Sequence, residues 1–241
     1  MKTLAIVQAR MGSTRLPGKV LANIFGKPAI WHLFNQLSHA SMLDQMILAT
    51  TDNPLDDPLE VYAREQKWNT FRGNEHDVLD RFYQAAKCFA CEDRDIIVRV
   101  TGDDILVDPI IVDSLVSSLK NSCESIVHVS NNRVKSFPYG SDVEVFYFSA
   151  LEKAWSETSV PFDREHVTPY IRNNPGIFPY INIQSKIDYS DIYLSIDYEE
   201  DLSYNKKIIE FLYRNSSPPF SLQDVLGVIK RYNITRTRSC R

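Results

Sequence analysis

Short apolar runs alternate along the chain with longer stretches in which apolar positions recur every three or four residues. Residues 4–7 (LAIV), 46–49 (MILA) and 95–100 (DIIVRV) are compact runs closed by polar clusters. Such runs suit strands of a parallel sheet buried on both faces. Residues 70–73 predict a short strand and turn, and residues 125–129 a further strand. Helical spacing predicts helices over 28–37, 56–66, 77–90 and 109–119, two of them opened by Pro28 and Pro109. After about residue 131 the rhythm changes. Residues 142–148 (DVEVFYF) and 178–184 alternate like strands with one wet face. Helices are predicted near 150–157 and 164–172. The chain then returns to a strand at 192–196 and helices at 199–212 and 222–232.

Strands and helices in this order predict an α/β fold with a mainly parallel sheet flanked by helices. One domain over residues 1–241 is expected, with 130–190 read as a strand and helix insertion that covers the site or makes a dimer contact. Residues 213–241 are read as a C-terminal helix and a frayed basic tail. In open α/β sheets ligands bind beyond the carboxyl ends of the strands. The polar clusters after Val7, Ala49 and Val100 all fall there.

Composition adds little, with 44% hydrophobic and 24% charged residues. The distribution of charge adds more. The net charge is −4, yet the first 43 residues carry five cations and no acid, and the residues after Asp224 do the same. The intervening chain therefore carries −14. This balance excludes a generally basic nucleic-acid binder, but not a basic head that receives an anion. The apolar runs are too short to span a membrane, and the run near the N-terminus is too short for a signal-peptide core. The cytoplasm is the default setting. Cys88 and Cys91 form a CxxC with no matching second pair, so they read as thiols of a reducing compartment rather than a zinc site.

Two constellations carry chemistry. The segment QARMGSTRLPGK after the first strand places Arg10, Arg15 and Lys19 among glycines and hydroxyls. Glycines let backbone N–H groups curl around a ligand, and the cations can neutralise a polyphosphate. It is neither a GxxxxGK[ST] loop nor a GxGxxG turn. The second constellation is acidic: Asp103 and Asp104 end one strand and Asp197 ends another. Such carboxylates can share Mg2+, although each could instead cap a turn or helix. A basic grip and a carboxylate-held cation together suit nucleotidyl transfer, in which a hydroxyl attacks an α-phosphate and pyrophosphate leaves.

The sequence resembles the sugar cytidylyltransferases of the acylneuraminate and 3-deoxy-manno-octulosonate type, and most of all their spore-coat-polysaccharide SpsF-like branch. QARMGSTRLPGKVL carries most of the likeness. ATTDNPLDDPLE, FRGNEHDVLDRF, RVTGDD, DVEVF, REHVTPYI and SIDYEEDL follow in order. The resemblance implies a nucleotide-diphospho-sugar transferase-like, Rossmann-like fold, CTP and Mg2+ as ligands, a small sugar-like acceptor and a homodimer. It implies catalytic roles for Arg10, Lys19 and Asp103, and metal binding by Asp103 and Asp197. Nucleotide binding would involve Ala9, Arg10, Gly12, Ser13, Arg15, Lys19, Thr51, Asn74, Arg81 and Thr101. Asp142, Glu144, Glu165 and His166 fall on the acceptor side. Two positions depart from the branch: Asp104-Ile105 stands in place of its Cys-Pro, and Tyr193 in place of its Arg. The alternatives are a glycosyltransferase of related fold, disfavoured because no Asp-x-Asp ends a strand, and a non-catalytic nucleotide-binding homologue.

Overall fold

The computed structural model describes residues 1–89, 91–123 and 125–236. Its strands are β1 (Thr3–Gln8), β2 (Asn23–Ile24), β3 (Lys27–Pro28), β4 (Gln45–Thr51), β5 (Asn69–Gly73), β6 (Ile96–Thr101), β7 (His128–Ser130), β8 (Glu144–Tyr147) and β9 (Tyr180–Asn182). The helices are α1 (Ala29–Leu37), α2 (Asp57–Glu65), α3 (Val78–Cys88), α4 (Pro109–Lys120), α5 (Phe148–Glu157), α6 (Pro161–His166), α7 (Pro169–Asn173), α8 (Glu199–Asn215) and α9 (Leu222–Arg231). Seven strands share one sheet in the order β5-β4-β1-β6-β8-β7-β9. Only β8 runs against the others. β1 lies between β4 and β6, with Val7 opposite both Leu48 and Val100. The chain leaves β1 in one direction for β4 and returns to its other side for β6, so the strand order reverses there, which is where such folds open a crevice.

Alternation along β1 divides the interior in two. Ala5 and Val7 face one core, with Leu33 and Phe34 of α1, Leu115 of α4, Ile208 of α8 and Val225 of α9. Leu4 and Ile6 face another, with Leu79 and Phe82 of α3 and Leu151 of α5. Both faces of the sheet are thus buried, which is why the central strands read as continuous apolar runs.

The second half of the chain departs from its sequence pattern in instructive ways. Residues 130–190 do not stand apart from the main sheet: β8 pairs with β6, β7 with β8 and β9 with β7. The predicted helix over 164–172 is two short helices, broken at Val167 with φ 72°. In one continuous helix Pro169 would have no N–H to give the Glu165 carbonyl, and its ring would crowd that carbonyl. Among the described residues the predicted strand at 192–196 forms no ladder. Its one bridge is parallel, between Tyr193 and Tyr139. Gly140, at φ 92°, makes that approach possible, because a Cβ there would collide with the Ser195 amide nitrogen. Cys88 ends α3 exposed, and Cys91 is buried beyond it. Arg238 and Arg241 of the basic tail lie outside the described residues, but Arg236 does not, and it is not simply solvated.

Candidate active site

The loop after β1 spans the crevice. It closes on itself where the Gly18 N–H donates to the Met11 carbonyl at 2.9 Å, with Gly18 at φ 73°. A side chain at that φ would be strained, so glycine suits the turn. A buried carboxylate, Asp56, ties the loop to the end of β4. It accepts from the Met11 N–H at 2.6 Å, the Thr50 hydroxyl at 3.0 Å, the Thr51 N–H at 3.1 Å and the Thr51 hydroxyl.

One end of the loop faces β5 and α3. Arg10 pairs with Glu75 at 2.8 Å, and Glu75 also accepts from the Asn53 amide at 2.9 Å. Arg81 is buried nearby and donates to the Asn74 carbonyl at 2.9 Å. Burial first, and then the charge of Arg10, lower its pKa to about 10. Its buried Nε has no partner among the described residues. A buried guanidinium beside a second cation favours an anion between them.

The other end of the loop holds the acids. Lys19 is buried, and its ammonium donates to Asp103 Oδ2 at 2.7 Å, the Ile196 carbonyl at 2.5 Å and Asp197 Oδ1 at 3.2 Å. Arg15 reaches the same Asp197 oxygen at 2.5 Å, and the Tyr193 hydroxyl donates to the other at 2.5 Å. Desolvation pushes the Asp197 pKa up, but Tyr193, Lys19 and Arg15 outweigh it and hold the carboxylate below its ordinary range. Asp197 does not cap α8. That work falls to Asp201, whose Oδ2 accepts from the N–H groups of Asp197 and Tyr198 at 3.0 and 2.9 Å. The same release holds for Asp104: Asp108 caps α4, accepting from Ile110 N–H at 2.8 Å. Asp104 is buried between the hydroxyls of Ser195 (2.6 Å) and Thr101 (2.5 Å). Burial, then Asp103 and Asp142, raise its pKa to about 8.

Beyond the aspartates lies a cavity of about 210 Å³, lined by Arg15, Arg99, Thr101, Asp142 and Tyr193 among others. Asp142 pairs with Lys135; burial raises its pKa and the lysine opposes this. Glu144, the first residue of β8, is buried, accepting from Thr168 at 2.7 Å and Arg99 at 3.1 Å. Burial favours its neutral form, but Arg99, His128, Thr168 and Arg172 hold its pKa down.

The sequence-nominated residues therefore fall into groups. Arg15, Lys19, Asp103, Asp197, Thr101 and Asp142 meet around one crevice. Ala9, Gly12 and Ser13 lie in the loop, and Arg10 and Arg81 face its far end. Thr51 turns its hydroxyl onto Asp56, and Asn74 turns its amide oxygen onto the N–H groups of His76 and Asp77. Glu165 and His166 lie exposed on α6 outside the cavity lining, with the His166 ring edge-on to Phe162. Asp56, Glu75, Arg99, Ser195 and Asp201 went unnominated, since nothing in local pattern separates them from surface polar residues.

Among the described residues no three His, Cys, Asp or Glu side chains converge as a metal cage. The donor set nevertheless fits a hard divalent cation. Asp103 Oδ2 and Asp197 Oδ1 already share one positive charge, and Asp103 Oδ1 accepts no hydrogen bond among the described residues. Mg2+ commonly takes one or two carboxylates and completes its shell with phosphate oxygens and water.

The chain is similar to known proteins over most of its length. The family model described as "Cytidylyltransferase" matches residues 4–222. An uncharacterized protein of Methanocaldococcus jannaschii is 38% identical over 204 residues, covering 83% of this chain and 80% of the relative. The spore coat polysaccharide biosynthesis protein SpsF of Bacillus subtilis is 29% identical, covering 95% and 94%. A solved cytidylyltransferase structure from Leptospira borgpetersenii superposes with a TM-score of 0.91 at 33% identity, covering 100% of this chain and 99% of that one.

Proposed function

The chain belongs to the cytidylyltransferase family, and on that footing we propose that it transfers CMP from CTP to a sugar hydroxyl with release of pyrophosphate. The observation that carries the reading is Lys19, whose one buried ammonium joins the β1 loop to Asp103 and Asp197. Anionic phosphates entering the loop would compete for Arg15 and Lys19 and release the two carboxylates. Asp103 and Asp197 would then hold Mg2+, whose charge lowers the cost of the negative charge that builds up during phosphoryl transfer.

The remaining chemistry belongs to the chain. Arg10 and Arg81 would neutralise phosphate at one end of the loop, and Arg15 and Lys19 at the other. The acceptor hydroxyl occupies the cavity beside Asp142. Its oxygen forms the new bond to the α-phosphorus as the bond to the bridging oxygen of pyrophosphate breaks. Its proton passes to a carboxylate, for which Asp142 is suited, because burial raises its basicity. A polysaccharide or glycoconjugate pathway, a cytoplasmic setting and a homodimer complete the reading. Sedimentation tests the last of these.

The deciding assay is pyrophosphate release from CTP and Mg2+ with a panel of sugar acceptors. Release should require both Lys19 and Asp103. Unchanged release in Lys19→Ala and Asp103→Asn would refute the assignment. Transfer of a whole sugar from a nucleotide sugar, without pyrophosphate, would establish the glycosyltransferase alternative.

A further inference from the structure

At Arg236 the chain comes back to residues that border the crevice. Arg236 lies well beyond α9, yet its Nε donates to Asp201 Oδ1 at 2.5 Å, and its guanidinium carbon sits 4.2 Å from the centroid of the Tyr193 ring. Both partners serve Asp197. Asp201, 0% exposed, holds the Asp197 backbone N–H through its other oxygen. Tyr193 holds the Asp197 side chain through its hydroxyl. The Tyr193 ring also stacks on Tyr139, with centroids 5.5 Å apart and planes at 24°.

We infer that Arg236 is a positioning residue for Asp197, acting through Tyr193 and Asp201, so that docking of its guanidinium orients the carboxylate that would hold the cation. The physics is specific. Tyr193 occupies Asp197 Oδ2, which leaves Oδ1 as the oxygen shared by Lys19 and Arg15. A phenol that rotated away would let the carboxylate turn and both oxygens compete for the same cations. A guanidinium over an aromatic face restrains that rotation, and a charge-assisted bond to a buried carboxylate anchors the guanidinium. Asp201, buried and without Arg236, would be an uncompensated charge next to the Asp197 backbone. The cation is thus supplied to Tyr193 from a segment about forty residues downstream in sequence.

This inference rests on the reading that CTP and Mg2+ occupy the crevice, and the experiment separates the two. CTP binding is measured by calorimetry with the full-length protein, in EDTA and in excess Mg2+, for wild type, Arg236→Ala, Arg236→Lys and Tyr193→Phe, with melting temperature recorded for each. Arg236→Ala should lose about fivefold to tenfold of the affinity gained from Mg2+ while its EDTA affinity stays unchanged. Arg236→Lys should recover part of that gain. Arg236→Ala should cost less in the Tyr193→Phe background than in the wild type, the remainder passing through Asp201. Equal loss in both buffers would make Arg236 a structural counter-ion only, and no loss in either would remove it from the site. Both results overturn the inference. A wild-type protein that binds no CTP in either buffer overturns the CTP reading itself, and the role of Arg236 with it.

Discussion

Replacing Lys19 with methionine should destabilise the fold by about 3 kcal/mol, because it leaves buried carboxylates without their cation. The ammonium makes three contacts within 3.2 Å, to Asp103, the Ile196 carbonyl and Asp197. Breaking a buried ion pair from one side costs about 3–5 kcal/mol. The lower end applies here, since Arg15 and Tyr193 still hold Asp197. For a chain of this size the melting temperature should fall by about 6–12 °C. Urea unfolding at neutral pH, without metal or nucleotide, measures the loss directly. Asp103→Asn should recover part of it in the double variant, because the asparagine carries no charge to strand. A cost below about 1 kcal/mol, or fully additive single and double variants, would refute the idea that one ammonium compensates the acidic cluster.

Asp56→Ala removes four hydrogen bonds, one from the β1 loop and three from the end of β4, so stability should fall by about 2–4 kcal/mol and CTP affinity should fall with it, read by urea melts and calorimetry. Gly140→Ala should destabilise by more than about 1 kcal/mol, since φ 92° and the Ser195 backbone both exclude a side chain; an unchanged urea midpoint would contradict this. Burial, opposed by Glu144 and assisted by Arg133 and Arg172, lowers the His128 pKa to about 4. The unfolded chain therefore binds more protons between about pH 6.5 and 4, and stability should drop by about 3 kcal/mol as pH falls through that window. His128→Gln should flatten that part of the pH–stability curve, and an unaltered slope would exclude His128 as its origin.

Much of the first half of the fold is written locally. Runs such as LAIV and MILA are too apolar to lie anywhere but between two covered faces, and β1 and β4 are there. The cations of the β1 loop stood out because no acid precedes Asp44. The second half was less legible. The segment 192–196 has strand composition, but Gly140 holds a loop rather than a strand against it. Residues 164–172 have helical spacing, but Pro169 divides them. Glu165 and His166 follow the family motif in order and yet lie on the exposed side of α6.

The sequence by itself determined which residues could be buried, which loop could hold an anion, and which family pattern the chain follows. Periodicity, charge and turn chemistry are properties of neighbouring residues, so they survive without the fold. Tertiary structure decided which acids were free to act. Asp104 and Asp197 each read as a possible cap, and only the fold gives that work to Asp108 and Asp201. It also brought Arg236 across from the C-terminal segment to Tyr193. A charge acts through distance in space, steeply so where water is excluded. Separation along the chain carries no record of that distance.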